Sequence, residues 1–416
     1  MDRRSDNRYL SAKEAAAALG VSLPTLYAYT SRGHVQSEAT PGRVRERRYA
    51  REDIERLKER KEIRRDPSQA VTRGLRWGSP VLDSGITLIH DGQLYYRGKD
   101  VRRLAATSTL EEVAELLWAA EPAEQNHLFK HPHLLSAGDL KRLQACTKDS
   151  LALLQMALPL AGAADLAAYD LRPAAMRQAG ARILQLLASL VAGRPARTPI
   201  HKALQIAWAP DRVQVAEVIR AAMVVSADHE LNVSTFVARC AASAGSTAYD
   251  IVSAALATLK GHKHGGETER VATLFAEVEG QADKTVRSGA RAVIGNRLRR
   301  GERVPGFGHP LYPGGDPRAV FLLRLAHASR NTKEWRRVKS LTRAARDLLQ
   351  LSPNLDFGLV AIARTYGLPE YAPLILFALG RSAGWIAHAI EQQAAGHLIR
   401  PRARYTGPAP QTLSTP

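Results

Sequence analysis

Residues 261–266 read GHKHGG, with His262 and His264 bracketing a lysine ahead of two glycines. Alternate histidines can ligate a metal, supply a proton donor and a bystander, or simply line a surface. A metal site needs further ligands at a readable spacing. None accompanies this pair, so no metal is expected. Four other polar islands interrupt the same Ala/Leu-rich region. DHELNVST (228–235) carries His229 beside Asp228 and Glu230. VPGFGHPLYPGGDPRA (304–319) sets His309 in a Gly/Pro-rich loop, after Val304, Gly306 and Gly308 and ahead of Asp316 and Arg318. Glycines there let backbone approach a ligand closely. SPNLDFG (352–358) puts Asp356 at an expected helix start, and LIRPRARYTG (398–407) carries Arg400 and Arg402. Histidines and a carboxylate are candidates for acid–base work, and arginines for gripping a carboxylate. Each has a plainer reading too: Asp356 could cap its helix, and Arg318 could pair with Asp316.

The surrounding sequence says which elements hold these groups. STAYDIVSAALATLK (246–260) puts Ile251, Val252, Ala255, Leu256 and Leu259 on one helical face. Thr247 and Asp250 start that helix and Gly261 ends it. The histidine pair thus follows a helix C-terminus, whose negative dipole end favours a protonated imidazole. His262 reads as loop surface, and His388, beside Trp385 in GRSAGWIAHAIEQ, as buried packing. Upstream, ITLIHDGQLYYRG predicts a hairpin about Asp91-Gly92. Thr109 and Glu112 cap a helix with Val113, Leu116 and Leu117 on one face. From there to about residue 400 nearly every segment reads as helix. Strands and helices do not alternate, and neither GxGxxG nor a P-loop motif occurs, so the fold class is mostly α rather than a doubly wound sheet.

The N-terminal stretch has a different character. Ser11 and Glu14 form a capping box for a first short helix ending at Gly20. Ser22 and Pro24 open a second, closed by Gly33. Two short helices about a tight turn have helix-turn-helix geometry. Arg43, Arg45, Arg47, Arg48 and Tyr49 follow as a basic hairpin, then a charged helix begins at Arg51. Residues 8–62 resemble the winged helix-turn-helix of MerR-like and excisionase-like DNA-binding domains. The resemblance assigns Thr25, Tyr27 and Arg32 to a major groove and Arg45, Arg47 and Arg48 to phosphates. Docking on a protein is the other reading of this module. Residues 1–63 form the expected winged domain, 64–81 a linker and 82–416 the main body.

Composition bounds the rest. The 416 residues are 45% hydrophobic and carry a net charge of +19. Such a chain attracts anions, whether nucleic acid, phosphorylated cofactors or polycarboxylates. Residues 1–77 hold 18 Lys/Arg against 11 Asp/Glu, only +7 of that charge. Cys146 and Cys240 are too far apart for a CxxC motif. MDRRSDNRYL has no apolar core of a signal peptide. The longest apolar candidate, between Asp149 and Asp165, is 15 residues long and contains Gln155 and Pro159. That is too short and broken to span a bilayer. A cytoplasmic chain with no membrane association is expected.

Taken in order, DHELNVST, GHKHGG, GFGHPLYPGGDPRA, PNLDFG and IRPRARYTG resemble the citrate synthase family over roughly residues 75–407. The resemblance implies large and small helical domains, the small one at roughly 225–330, closing over substrates in a homodimer. It implies acetyl-CoA and oxaloacetate as substrates and no tightly bound cofactor. By motif, His264 matches the residue that stabilises the enol of the acetyl group, and His309 the one that polarises the oxaloacetate ketone. Asp356 matches the base that takes the methyl proton. His229, Arg318 and Arg400 match residues that hold oxaloacetate, and the loop with Val304, Gly306 and Gly308 looks like part of the CoA site. Three departures stand out: Lys263 follows His262 where Pro-Leu is common, Pro310 follows His309 where arginine is frequent, and the tail PAPQTLSTP lacks a basic residue. Citrate formation is the expected activity. The alternatives are a 2-methylcitrate synthase using propionyl-CoA, and a DNA-binding regulator that senses CoA esters or oxaloacetate.

Overall fold

The computed structural model describes residues 9–32, 34–39, 47–51, 53–55, 57–58, 82–125, 127–130, 135–196, 199–281, 285–403 and 405–409. Gly33, Arg43, Arg45 and the expected linker 64–81 lie outside the described residues. The chain forms two compact units, Met1–Asp83 and Ser84–Pro416.

In the first unit β1 (Tyr9–Ser11) leads into α1 (Ala12–Leu19), which opens on the expected Ser11/Glu14 capping box. Gly20 closes it at φ 61°, a left-handed conformation that glycine adopts freely. Ser22 caps α2 (Leu23–Ser31) by accepting from Thr25 N–H. The wing is an antiparallel pair, β2 (Ser37–Ala39) and β3 (Arg47–Ala50), with β1 on the other edge of β3. Leu10, Ala15, Leu19, Leu26, Val35, Tyr49 and Ile54 form a small core of their own.

The second unit begins with the hairpin of β4 (Thr87–His90) and β5 (Gln93–Tyr96), extended by β6 (Lys99–Asp100). Asp91 and Gly92 both take positive φ, as the two-residue hairpin turn requires. Helices make up the remainder: α3 (Val101–Thr107), α4 (Leu110–Leu117), α5 (Ala137–Cys146), α6 (Ser150–Ala164) and α7 (Pro173–Ala192). Then come α8 (Ile200–Trp208), α9 (Val215–Ser226), α10 (Val233–Ser243), α11 (Ala248–Leu259) and α12 (Glu267–Glu279). The last are α13 (Val286–Arg299), α14 (Pro317–Ala328), α15 (Thr332–Leu349), α16 (Leu355–Thr365) and α17 (Ala372–Ala395).

The spine is α17, which packs against α4, α7, α9, α10 and α11. It corrects the expectation that 150–164 is the longest apolar stretch. At 24 residues α17 is long and apolar enough to cross a membrane, yet 89% of its apolar window is buried inside the fold. Sequence scanning passes over it because Arg381, His388 and Glu391 interrupt it. Gly380 and Gly384 let it lie directly on the end of α9, since a Cβ at either would overlap Met223 O or Ala227 O. Burial of each large side chain such as Trp385 or Ile386 contributes about 1.5–3 kcal/mol.

Candidate active site

His264 sits in the turn between α11 and α12. Its N–H donates to Gly261 O at 2.8 Å, and Gly265 N–H donates to Leu259 O at 2.9 Å. Only glycine fits at 265, because a Cβ would overlap Leu259 O. The imidazole Nε2 lies 2.8 Å from Ser234 Oγ, which also accepts from Trp385 Nε1 at 3.1 Å. Burial, aided by the Arg381 charge, lowers the His264 pKa to about 4. This overturns the expectation of a protonated imidazole at a helix C-terminus. A dipole end contributes at most a few kcal/mol, and desolvation of the cation outweighs it here. His262 is exposed, as its loop position suggests.

His309 and His229 meet edge to face, with ring centroids 5.0 Å apart and planes at 79°, and Tyr312 completes the group. His229 Nε2 lies 2.9 Å from Tyr312 Oη. Leu311 N–H donates to His309 Nδ1 at 3.2 Å. An amide can only donate, so Nδ1 is bare and the neutral ring carries its proton on Nε2. Burial and then Arg318 push His309 to about 4 and His229 well below its ordinary value. Arg318, 4% exposed, does make the Asp316 pair: Nε to Oδ1 at 2.9 Å and Nη2 to Oδ2 at 2.7 Å. Asp316 Oδ2 also accepts from Leu355 N–H at 3.1 Å, locking the start of α14 to the start of α16.

Asp356 stands on the first turn of α16, but the cap is Asn354, whose Oδ1 accepts from Phe357 N–H. The carboxyl of Asp356 is therefore not spent on capping. Burial first, then the charge of Glu267, raises its pKa to about 7. Glu267 in turn accepts from Gly306 N–H at 2.9 Å. Gly306 (φ 85°) and Gly308 (φ 78°) strap their loop to residues 352–354 through Asn354 N–H to Gly306 O and Gly308 N–H to Ser352 O. A Cβ at 306 would come within 2.8 Å of Val271 and 3.1 Å of Phe357. These glycines permit close packing, and both amide protons are taken by the protein. Val304 is buried beside them in the core.

Two groups escaped the sequence reading. Arg381, 1% exposed on α17, donates Nε to Ser226 O at 2.8 Å. Its charge acts on His229, His264, Arg318 and Asp356, so it stands among them, and burial lowers it to about 10. An arginine inside an otherwise apolar run was the available signal. His388 is fully buried, as expected, but in a polar chain rather than in apolar packing. Its Nε2 lies 3.3 Å from Asp228 Oδ2, which also accepts from Thr87 Oγ1 at 2.6 Å. Arg400 is exposed on the segment after α17, and among the described residues nothing joins it to this cluster. In the first unit Tyr27 is 50% exposed, and Arg32 and Arg47 are exposed. Thr25 Oγ1 is tied to Ser22 at 2.9 Å. Arg48 pairs with Glu38 at 2.5 Å and lies 4.3 Å over the Tyr9 ring.

Neutral imidazoles, a carboxyl held near neutrality and buried arginines define a class. Such a site can take a proton from carbon, donate to a developing oxyanion and hold an anionic substrate. Residues 74–402 match the family described as "Citrate synthase, C-terminal domain", and residues 9–62 match "Helix-turn-helix domain". "Citrate synthase 2" of Bacillus subtilis is 30% identical over 82% of this chain and 97% of its own. A "2-methylcitrate synthase" of Mycobacterium tuberculosis is 30% identical over 76% of this chain and 84% of its own. The crystal structure of citrate synthase from Thermotoga maritima covers 81% of this chain and 96% of its own, with TM-score 0.68 and 26% identity. The chain belongs to the citrate synthase family of acyltransferases.

Proposed function

We propose that the chain condenses acetyl-CoA with oxaloacetate to give citrate and CoA. The observation that carries this reading is Asp356, buried and held near pKa 7 within the field of Arg318 and Arg381, whose charges also reach His309 and His264. A thioester methyl proton is a poor acid, so a base must act together with a donor to the enolate oxygen. A carboxylate with a pKa near the working pH is suited to that transfer. His264 is the donor. Trp385 Nε1–H occupies one lone pair of Ser234 Oγ, and for this role Ser234 turns its one proton from Asn232 Oδ1, to which it donates at 2.8 Å, to His264 Nε2 at the same distance. That arrangement leaves His264 with Nδ1–H directed at the acyl oxygen. His309, with its proton on Nε2, polarises the ketone of oxaloacetate. The enol carbon attacks that ketone, and hydrolysis of the citryl thioester releases CoA.

Arg318 and Arg381 supply the fixed cations for the dicarboxylate, with His229 and the Tyr312 hydroxyl beside them. Arg318 spends Nε and Nη2 on Asp316 and keeps Nη1 for substrate. Acetyl-CoA enters as a cosubstrate on the side of Val304, Gly306 and Gly308, and no resident cofactor is assigned a step. We read residues of roughly 225–330 as a small domain that closes over the substrates, excluding water during enolisation. The working unit is read as a cytoplasmic homodimer, with exposed Arg400 serving the partner copy rather than its own site.

The deciding experiment is thiol release from acetyl-CoA with oxaloacetate, run beside propionyl-CoA, on the wild type and Asp356→Ala. Turnover that falls by at least a thousandfold in the variant supports the reading. Preference for propionyl-CoA would move it to 2-methylcitrate synthesis, a discrimination of about 1–3 kcal/mol per methylene. A folded protein that turns over neither donor sinks it. A second activity, DNA binding, is favoured by the helix-turn-helix match and the basic β2–β3 wing.

A further inference from the structure

One face of α17 is polar although the helix lies inside the fold. Arg381, Trp385, His388 and Gln392 recur at i, i+4, i+7 and i+11, the spacing of a single helical face. None is more than 1% exposed. Each bonds to the stretch that runs from the end of α9 into α10. Arg381 Nε donates to Ser226 O at 2.8 Å, and Trp385 Nε1 to Ser234 Oγ at 3.1 Å. His388 Nε2 lies 3.3 Å from Asp228 Oδ2, and Gln392 Oε1 accepts from Arg239 Nε at 3.0 Å. Arg381 already has a task among the substrate cations, and Trp385 bonds the serine that orients His264. His388 and Asp228 have none.

The contacts of His388 fix its tautomer. Arg239 Nη1 lies 3.5 Å from His388 Nδ1. A guanidinium only donates, so Nδ1 accepts and the ring proton sits on Nε2, facing a carboxylate that only accepts. Asp228 is fully buried. Its Oδ2 also takes the Thr87 hydroxyl of β4 at 2.6 Å, and among the described residues Oδ1 has no hydrogen-bond partner. His388 and Thr87 are thus the two donors that hold this side chain. Burial opposes its charge, but His388, Arg381 and Thr87 outweigh that and keep the carboxyl below its ordinary range. The Asp228 N–H donates to Tyr96 Oη at 3.0 Å. His229 comes next, and then Glu230 at φ 49°, a left-handed conformation unfavourable to a side chain. Such a turn keeps its shape only when its surroundings hold it, and Asp228 is the anchor.

We propose that His388 is a positioning residue for the dicarboxylate: it holds Asp228, and through Asp228 the turn that presents His229 to oxaloacetate. The inference rests on the reading of this site as one for oxaloacetate. His388 acts only through Asp228. It shares its helix face with Arg381, so α17 sets both an imidazole and a guanidinium of the same subsite. Ser234 lies six residues beyond Asp228 and is tied separately by Asn232 and Trp385. Loss of His388 therefore falls on the oxaloacetate side of the reaction rather than on the His264 side.

Calorimetry with oxaloacetate and steady-state kinetics on the full chain test this. His388→Leu removes the donor and keeps an apolar side chain in its place. His388→Gln restores an N–H at about the reach of Nε2. Thr87→Val removes the other donor and decides the matter where His388→Leu does not fold. In His388→Leu the Kd and KM for oxaloacetate should rise roughly tenfold or more, as for one charge-assisted bond lost, while the KM for acetyl-CoA stays nearly unchanged. His388→Gln should recover most of that loss, and Thr87→Val should shift the oxaloacetate constants in the same direction. A role in packing alone gives the other split: a lower melting temperature and less active protein, with both KM values unchanged. Unchanged oxaloacetate affinity in folded His388→Leu, or in Thr87→Val should the former not fold, overturns the proposal, as does a His388→Gln variant no better than His388→Leu. A wild type that binds no oxaloacetate at millimolar concentration removes the reading of the site and this inference with it.

Discussion

At the scale of single residues, the site depends on charges kept in the wrong state for water. Asp356 is protonated more readily than an ordinary carboxyl because it is buried and because Glu267 repels its anion. Its base form is present only above about pH 7, so kcat/KM should fall as pH drops through that value. Glu267→Gln removes one repelling charge and keeps an acceptor for Gly306 N–H. The pKa of Asp356 then falls, and the acid limb of the pH–rate profile should move to lower pH. An unmoved limb would mean that another group sets it. Arg381 offers a second test. Arg381→Lys keeps the charge but loses the planar fork. The KM for oxaloacetate should rise roughly 10- to 100-fold, the cost of one charge-assisted bond. Steady-state kinetics should show little change in the KM for acetyl-CoA.

At the scale of elements, tight turns hold these side chains. The 261–266 turn is closed by backbone bonds and admits no Cβ at 265. Gly265→Ala should displace His264, cost about 1–3 kcal/mol in a denaturant melt, and lower kcat more than it raises either KM. The residue types of this turn were legible in the sequence, as were the caps at Ser11, Thr109 and Thr247. Capping is local, so three or four adjacent residues suffice to specify it. The charge state of His264 was not legible. It depends on burial and on the charge of Arg381, 117 positions away in the chain, which come together only in the packed fold.

At the scale of the whole molecule, the chain joins a helix-turn-helix unit to a citrate synthase fold. DNA binding through the first unit should weaken steeply with salt, by roughly 0.9 in log–log slope per phosphate neutralised. Arg47 is exposed, so Arg47→Ala should lower that slope by about one contact. Arg48 is engaged with Glu38 and Tyr9, so Arg48→Ala should instead lower the melting temperature of the unit. Mobility-shift titrations at several salt concentrations, with melts of both variants, separate the two effects. A slope unchanged in Arg47→Ala would remove that residue from the phosphate contacts.

By itself the sequence determined the helical class, the hairpin at Asp91-Gly92, the N-terminal helix pair and the short motifs that carry His229, His264, His309 and Asp356. Each is a local pattern in which neighbouring residues decide backbone conformation or supply a chemical group. Only the tertiary structure decided what those groups can do. It made the histidines neutral, freed Asp356 from capping, tied Arg318 to Asp316, and brought Arg381 from a buried helix into the cluster. Desolvation and the field of distant charges set these properties, and both arise only when segments far apart in the chain exclude water together.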